Sequence, residues 1–181
     1  MTPVTAGATL AEPDVAAFRA AMGRFPTGVT LLTQGSGDET IVMTLNSLTS
    51  VSLDPMLILV SVKASGRMRP RIMNAGSFAV NVLGEAQLDL AVEFCKPDRP
   101  EGSAAMVRLG AREGVTGNAV LPAAETYVEC VLDAEYTAGD HTLLIGRVVA
   151  LSDGAPHPDP LLFHQGKFGR LPAAGRQGAA A

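Results

Sequence analysis

Two polar clusters hold the side chains with chemical potential in this chain. Six hydroxyl and amide residues, Thr44, Asn46, Ser47, Thr49, Ser50 and Ser52, crowd the nine positions of TLNSLTSVS, where one strand gives way to the next. Hydroxyls, an amide and backbone N–H groups at that density can hydrogen-bond a flat polar ring whose edge alternates donors and acceptors. They can equally face water as an exposed turn. Just downstream, Ser61, Lys63, Ser65, Arg67, Arg69 and Arg71 run from the end of an apolar strand into the start of a helix. A helix N-terminus with hydroxyl donors and one or two fixed cations cradles a phosphate, each charge-assisted bond contributing roughly 1.5–3 kcal/mol. The same residues also read as a solvated helix end. Arg67 and Arg71 share a helical face, so only some of the arginines reach one anion.

Other chemistries lack their residues. There is no phosphate-binding P-loop, no GxGxxG between a strand and a helix, and no GxSxG nucleophile elbow. His141, His157 and His164 lack the i, i+4 spacing of a helical metal pair and have no cysteine cluster beside them, so no metal site is expected. An enzyme built from this chain therefore borrows its reactive atoms from a cofactor. Cys95 and Cys130 form no CxxC pair and read as buried or partly buried free thiols in a reducing compartment. With 14 Lys plus Arg against 18 Asp plus Glu, the net charge is −4, and no basic run supplies a nucleic-acid stripe. The apolar run over 56–62 falls far short of the roughly 20 residues that cross a bilayer. The first 18 residues hold no Lys or Arg and so lack the basic start of a secretion signal. A soluble cytoplasmic protein is expected.

The clusters need a scaffold, and 181 residues suffice for one domain that buries roughly 70% of its unfolded surface. The expected domain spans 13–171, between a loose arm over 1–12 and a flexible tail over 172–181. Pro13 and Asp14 open a helix whose Val15, Phe18 and Met22 form one apolar stripe. GVTLLTQ and TIVMTLNS around GSGDE predict a hairpin with a five-residue connection. LTSVSLD and MLILVSV flank Asp54-Pro55, and the second lacks polar alternation, as for a strand covered on both faces. A short helix stopped by Gly76 precedes the strand SFAVNVL. EAQLDLAVEFC predicts a helix with Leu88, Val92 and Cys95 on one face, followed by a loop KPDRPEGS. Residues 105–122 show no sustained period and read as irregular with short strands. Over 126–138, Val128, Cys130, Leu132, Ala134 and Tyr136 alternate onto one face. Ala138-Gly139-Asp140 then turns the chain into HTLLIGRVVAL, and a Pro-rich loop, DGAPHPDP, leads to a last run LLFHQGKF. Six or more strands joined by hairpins, with isolated helices, predict a closed or partly closed antiparallel barrel.

Four segments in order, TLNSLTSVSLDPMLILVSV, SFAVNVL, AGDHTLLIGRVVAL and PLLFHQGKFG, resemble the flavin reductase family, the NAD(P)H-dependent partners of two-component flavin monooxygenases. The similarity runs from about Phe18 to Gly169. It implies a mainly β, FMN-binding split β-barrel with a few flanking helices, working as a homodimer with FMN or FAD in a groove near the interface. It implies hydride transfer from C4 of NADH or NADPH to N5 of the flavin, and release of reduced flavin to a separate monooxygenase. Carried over by position, Thr44, Asn46 and Ser47 face the ring edge, and Ser50 and Ser52 lie near the ribityl chain or phosphate. Lys63, Ser65 and Arg67 hold the phosphate, Asn81 lies close to the site, and His141 sits beside the nicotinamide. Lys167 and Phe168 match a late segment near the cofactor. Leu45 stands where the family commonly has a small residue, and Gly66-Arg67 departs from the usual Thr after Ser65. Two readings from other classes stay open: a flavin-binding module that stores or senses the cofactor, and a β-barrel interaction protein without a ligand.

Overall fold

A computed structural model describes residues 14–154 and 159–171. The expected arm over 1–12, the tail over 172–181 and the centre of the DGAPHPDP loop lie outside the described residues. Helices α1 (Val15–Met22), α2 (Met68–Ala75), α3 (Leu88–Glu93) and α4 (Gly102–Leu109) surround twelve strands. These are β1 (Thr27–Gly28), β2 (Thr30–Gln34), β3 (Ile41–Leu45), β4 (Thr49–Leu53), β5 (Met56–Lys63) and β6 (Ser77–Val82) in the first half. The second half adds β7 (Arg112–Glu113), β8 (Ala119–Val120), β9 (Thr126–Ala138), β10 (His141–Leu151), β11 (Leu162–His164) and β12 (Lys167–Gly169).

Seven strands form one antiparallel sheet in the order β3-β2-β6-β9-β10-β5-β4. Its two end strands, β3 and β4, are consecutive in the chain and joined only by residues 46–48. A flat sheet of this size holds its end strands roughly 29 Å apart at about 4.8 Å per interval. The linker from Leu45 to Thr49 reaches at most roughly 14 Å. The sheet must therefore curl until its edges approach, which makes a barrel with a seam at residues 46–48. Ser47 laces that seam: its hydroxyl donates to the Ser61 carbonyl at 3.1 Å and accepts from the Ser61 N–H at 3.0 Å.

The barrel interior packs Leu32, Val60, Val62, Phe78, Val80 and Leu144 with Met68 and Ile72 of α2. Gly146 has no room for a side chain, since a Cβ there would lie 2.5 Å from the Phe78 ring. A second core packs Val29, Leu31 and Val42 against Leu90, Ala91 and Phe94 around α3 and Ala105 and Leu109 of α4. Gly76, at φ +67°, ends α2 in the left-handed conformation that its position in the sequence predicts.

Several expectations are corrected. The hairpin connection between β2 and β3 spans residues 35–40, one more than expected, because Thr40 caps the short 3-10 turn over Gly37–Glu39 rather than pairing. α3 buries Leu90, Ala91 and Phe94, whereas Leu88 and Val92 are exposed and Cys95 is an exposed thiol. Two stripes satisfy the helical period there, and the one nearer β2 and β3 wins the core. Residues 102–109 form a helix where irregular chain is expected, its Ala105 and Leu109 buried one turn apart. A bulge at Asp133 splits the single face expected for β9. Cys130 and Leu132 pair with Val148 and Gly146 on the core side, while Ala134 and Tyr136 pair with Ile145 and Leu143 on the other. β5 is covered on one face only: Val60 and Val62 are buried and Leu57, Leu59 and Ser61 are half-buried. The α1 stripe of Val15, Phe18 and Met22 is exposed in the single chain. No described helix is long and apolar enough to cross a membrane.

Candidate functional site

The N–H groups of residues 46–48 carry no intramolecular hydrogen bond among the described residues. Unpaired backbone donors are uncommon in folded proteins away from water or a ligand. They border a groove of about 620 Å³ with Asn46, Ser47 and Thr49 on one side and Phe18, Met22, Phe25 and Phe163 on the other. A flat aromatic ring with a polar edge matches that division of walls. The aromatic wall is missed by sequence reasoning, which reads Phe18 and Met22 only as part of one apolar helix stripe. A helix whose apolar face precedes Gly23-Arg24-Phe25-Pro26 gives no local signal that the face stays open.

Hydroxyl groups near the seam divide by engagement. Thr44 donates to the Ala91 carbonyl at 2.8 Å, and Ser47 is engaged both ways with Ser61. Asn46 is exposed and donates to the Thr27 hydroxyl at 3.1 Å. On β4, Ser50 is exposed, and Ser52 accepts from the Asp54 N–H at 3.2 Å. Thr44 and Ser47 thus order the seam, and the donors they leave facing the groove belong to the backbone.

The cations divide in the same way. Arg69 binds Glu135 through both carboxylate oxygens, Arg71 binds Glu39 at 2.9 Å and Gln34 at 3.0 Å, and Arg67 reaches Glu101 at 2.6 Å. Lys63 has no ion pair among the described residues and ends β5 in the open, with exposed Ser65 two residues on. Ser61, the seam's partner, and Lys63 project from one face of β5 about 7 Å apart along the strand. Ser47 is thereby fastened to the strand that ends in Lys63, with Asn46 beside it in the chain and Ser65 two residues past Lys63.

Lys63 pairs across the ladder with His141, the first residue of β10. The turn before it uses Gly139 at φ +62° and is tied to β5 by the Ala64 N–H donating to the Asp140 carbonyl at 3.0 Å. The His141 Nδ1 lies 2.8 Å from Asp140 Oδ1, and the imidazole is half-exposed. That hydrogen bond and the nearby imidazole charge hold the Asp140 carboxyl below its usual range.

Asn81 is removed from the set of ligand contacts. It is fully buried on β6, its amide donates to the Leu31 carbonyl and the Thr33 hydroxyl, and its oxygen accepts from the Leu121 N–H at 2.8 Å. A buried amide and a ligand-binding amide look alike in sequence. Phe168 is half-buried edge-to-face on Phe163, with centroids 5.3 Å apart, and so backs the aromatic wall. Lys167 is exposed on the outer side of the same hairpin, across from His164. The Cys130 thiol is pushed up to about 12 by burial, which takes it out of any nucleophilic role. Among the described residues no group of three or more His, Cys, Asp or Glu could hold a metal ion.

Residues 22–172 match the family described as Flavin reductase like domain. The chain is also 44% identical over 160 residues to the NADH-dependent FMN reductase AsuE2 of Streptomyces nodosus subsp. asukaensis, covering 88% of this chain and 86% of that one. The chain belongs to the flavin reductase like family. A second relative of this flavin reductase, the NADH-dependent FAD reductase of Streptomyces globisporus, is 37% identical over the full length of both chains. Among solved structures, BorF, the flavin reductase component of a bacterial two-component tryptophan halogenase, superposes with a TM-score of 0.81 at 38% identity. That match covers 88% of this chain and 99% of BorF. The curled seven-stranded sheet is thus the barrel of a flavin reductase.

Proposed function

We propose that this flavin reductase oxidises NADH and reduces FMN or FAD, releasing reduced flavin to a separate flavin-dependent monooxygenase. The observation that carries the site assignment is the run of unpaired N–H groups at residues 46–48 beside an aromatic-walled groove. Those donors suit the acceptor edge of a flavin, the edge on which negative charge grows when the ring is reduced. Phe18, Phe25 and Phe163 offer the ring an apolar surface to lie against.

Asn46 adds a side-chain amide at the ring edge, with Thr44 and Ser47 holding the seam in shape. Ser50 and Ser52 flank the ribityl chain. Lys63 and Ser65 receive the phosphate. Arg67 joins them by exchanging its surface pairing with Glu101, whose side chain is 39% exposed. Phe168 supports Phe163, and Lys167 offers a cation at the rim. His141 orients the nicotinamide. When both are bound, the dihydronicotinamide and the flavin supply the hydride donor and acceptor, so no side chain has to act as a base.

We propose further that the protein is a homodimer through the open face of β5 and β10. Leu57, Leu59, Leu143 and Ile145 are half-buried on that face, and Tyr136 is 59% exposed beside them. An apolar sheet face of this kind is what a second copy covers. A cytoplasmic setting suits the exposed free thiol of Cys95. Steady-state NADH oxidation measured with FMN and with FAD tests the activity: acceleration by at least one flavin is expected, and none with either refutes it. Light scattering tests the dimer, which has twice the 18.7 kDa chain mass.

A further inference from the structure

Asp140 lies outside the set of residues assigned above to either ligand, yet its carboxylate decides what its neighbour can offer. An ionised carboxylate only accepts hydrogen bonds. Asp140 is held below the usual carboxylate range, so its contact at 2.8 Å requires the proton to sit on His141 Nδ1. The neutral ring then carries its lone pair on Nε2, the reverse of the form that free histidine favours. Three features keep this arrangement in place. Gly139 turns the chain in a conformation other residues avoid, the Ala64 N–H grips the Asp140 carbonyl, and His141 is already in register with Lys63 on β5.

We infer that Asp140 is a positioning residue: it fixes the Nδ1–H tautomer of His141, so that Nε2 is presented as an acceptor to the carboxamide N–H of the reduced nicotinamide. This rests on the reductase reading for the identity of the ligand, although the tautomer itself does not. No proton or electron moves in the step. Lys63, across the ladder, faces the same pair and adds a positive charge that favours the ionised Asp140.

Two-bond 1H–15N correlation spectra of the unliganded protein, recorded in alkaline solution with 15N-labelled histidine, read the tautomer directly. Loss of signals in His141→Gln identifies the His141 resonances. The expected wild-type pattern is protonated Nδ1 and bare Nε2. Asp140→Asn keeps that pattern because the amide oxygen still accepts, whereas Asp140→Ala moves the proton to Nε2. Since Asp140 is 88% exposed, its variants should stay folded and unfold within a few degrees of the wild type. In steady-state kinetics, Asp140→Ala should raise the NADH KM about tenfold, the loss of one hydrogen bond, with the flavin KM unchanged and Asp140→Asn near wild type.

An Nε2–H pattern in the wild type, or an unchanged pattern in Asp140→Ala, overturns the assignment. A switched tautomer with an unchanged NADH KM overturns its link to the nicotinamide. The expected tautomers in a protein that oxidises no NADH with either flavin refute the reductase reading and leave the Asp140–His141 pairing supported.

Discussion

Asn81 and Asn46 carry the same side chain in opposite circumstances, and the contrast extends to the regions around them. Inside the barrel wall, Asn81 closes its amide against Leu31, Thr33 and Leu121, and the buried Glu129 accepts from the Val115 and Thr116 N–H groups and the Thr116 hydroxyl. Both side chains are satisfied within the fold, and their work is to hold strands and loops together. Along the seam, among the described residues, the N–H groups of 46–48 have no partner and Lys63 lacks the carboxylate that Arg67, Arg69 and Arg71 each have. Residue type therefore does not separate a structural polar group from a binding one. The inventory of partners does.

The sharpest way to break this contrast uses the two thiols. Burial pushes the Cys130 thiol up to about 12, so it holds far less thiolate than an unperturbed thiol and is closed to reagents in solution. A thiol reagent should titrate one group, Cys95, in the native protein and a second only after unfolding. Two fast thiols in the native state would mean that the interior is not closed.

Next in size is the pair of asparagines. Asn81→Ala orphans the buried Leu121 N–H, while the Leu31 carbonyl keeps its ladder partner, and should cost roughly 1–3 kcal/mol in urea unfolding. Asn46→Ala removes one exposed contact, should cost less than about 1 kcal/mol, and should raise the flavin KM instead. The cations sharpen the comparison further. Lys63→Ala should raise the flavin KM about tenfold or more without changing stability. Arg71→Ala should lower stability by about 1 kcal/mol with the flavin KM unchanged.

The smallest effect concerns acid. Asp140 has a depressed carboxyl in the folded protein, so its contribution is complete above the unfolded value of 3.8 and is lost as pH falls through the lower folded value. Stability curves of wild type and Asp140→Asn should differ slightly at neutral pH and converge in strong acid. A gap that widens in acid would reverse the sign of this linkage.

Much of the barrel was legible because strands announce themselves by alternation and hairpins by their turns: β2, β3, β9 and β10 lie close to where GVTLLTQ, TIVMTLNS and the long alternating runs put them. The misses have physical causes. α4 has only Ala105 and Leu109 buried in its eight residues, too thin a stripe to stand out. The bulge at Asp133 reverses the faces of β9 without any change of residue pattern. In the site, the TLNSLTSVS cluster was found by composition, but the hydroxyls that drew attention to it, Thr44 and Ser47, turned out to be engaged within the fold, and the unpaired donors are backbone groups that no side-chain pattern encodes. The aromatic wall was hidden for a different reason: Phe18 and Phe163 are far apart in sequence and line one groove only in the folded chain.

The central claim, that the open seam rather than the closed wall receives the flavin, is tested most directly by adding FMN, and separately FAD, to 15N-labelled protein and following backbone amide shifts. The N–H signals of Asn46, Ser47 and Leu48 should move furthest, accompanied by Lys63 and Ser65, while those of Leu31, Asn81 and Glu129 stay in place. Shifts centred elsewhere on the barrel, with residues 46–48 unmoved by either flavin, would contradict the account.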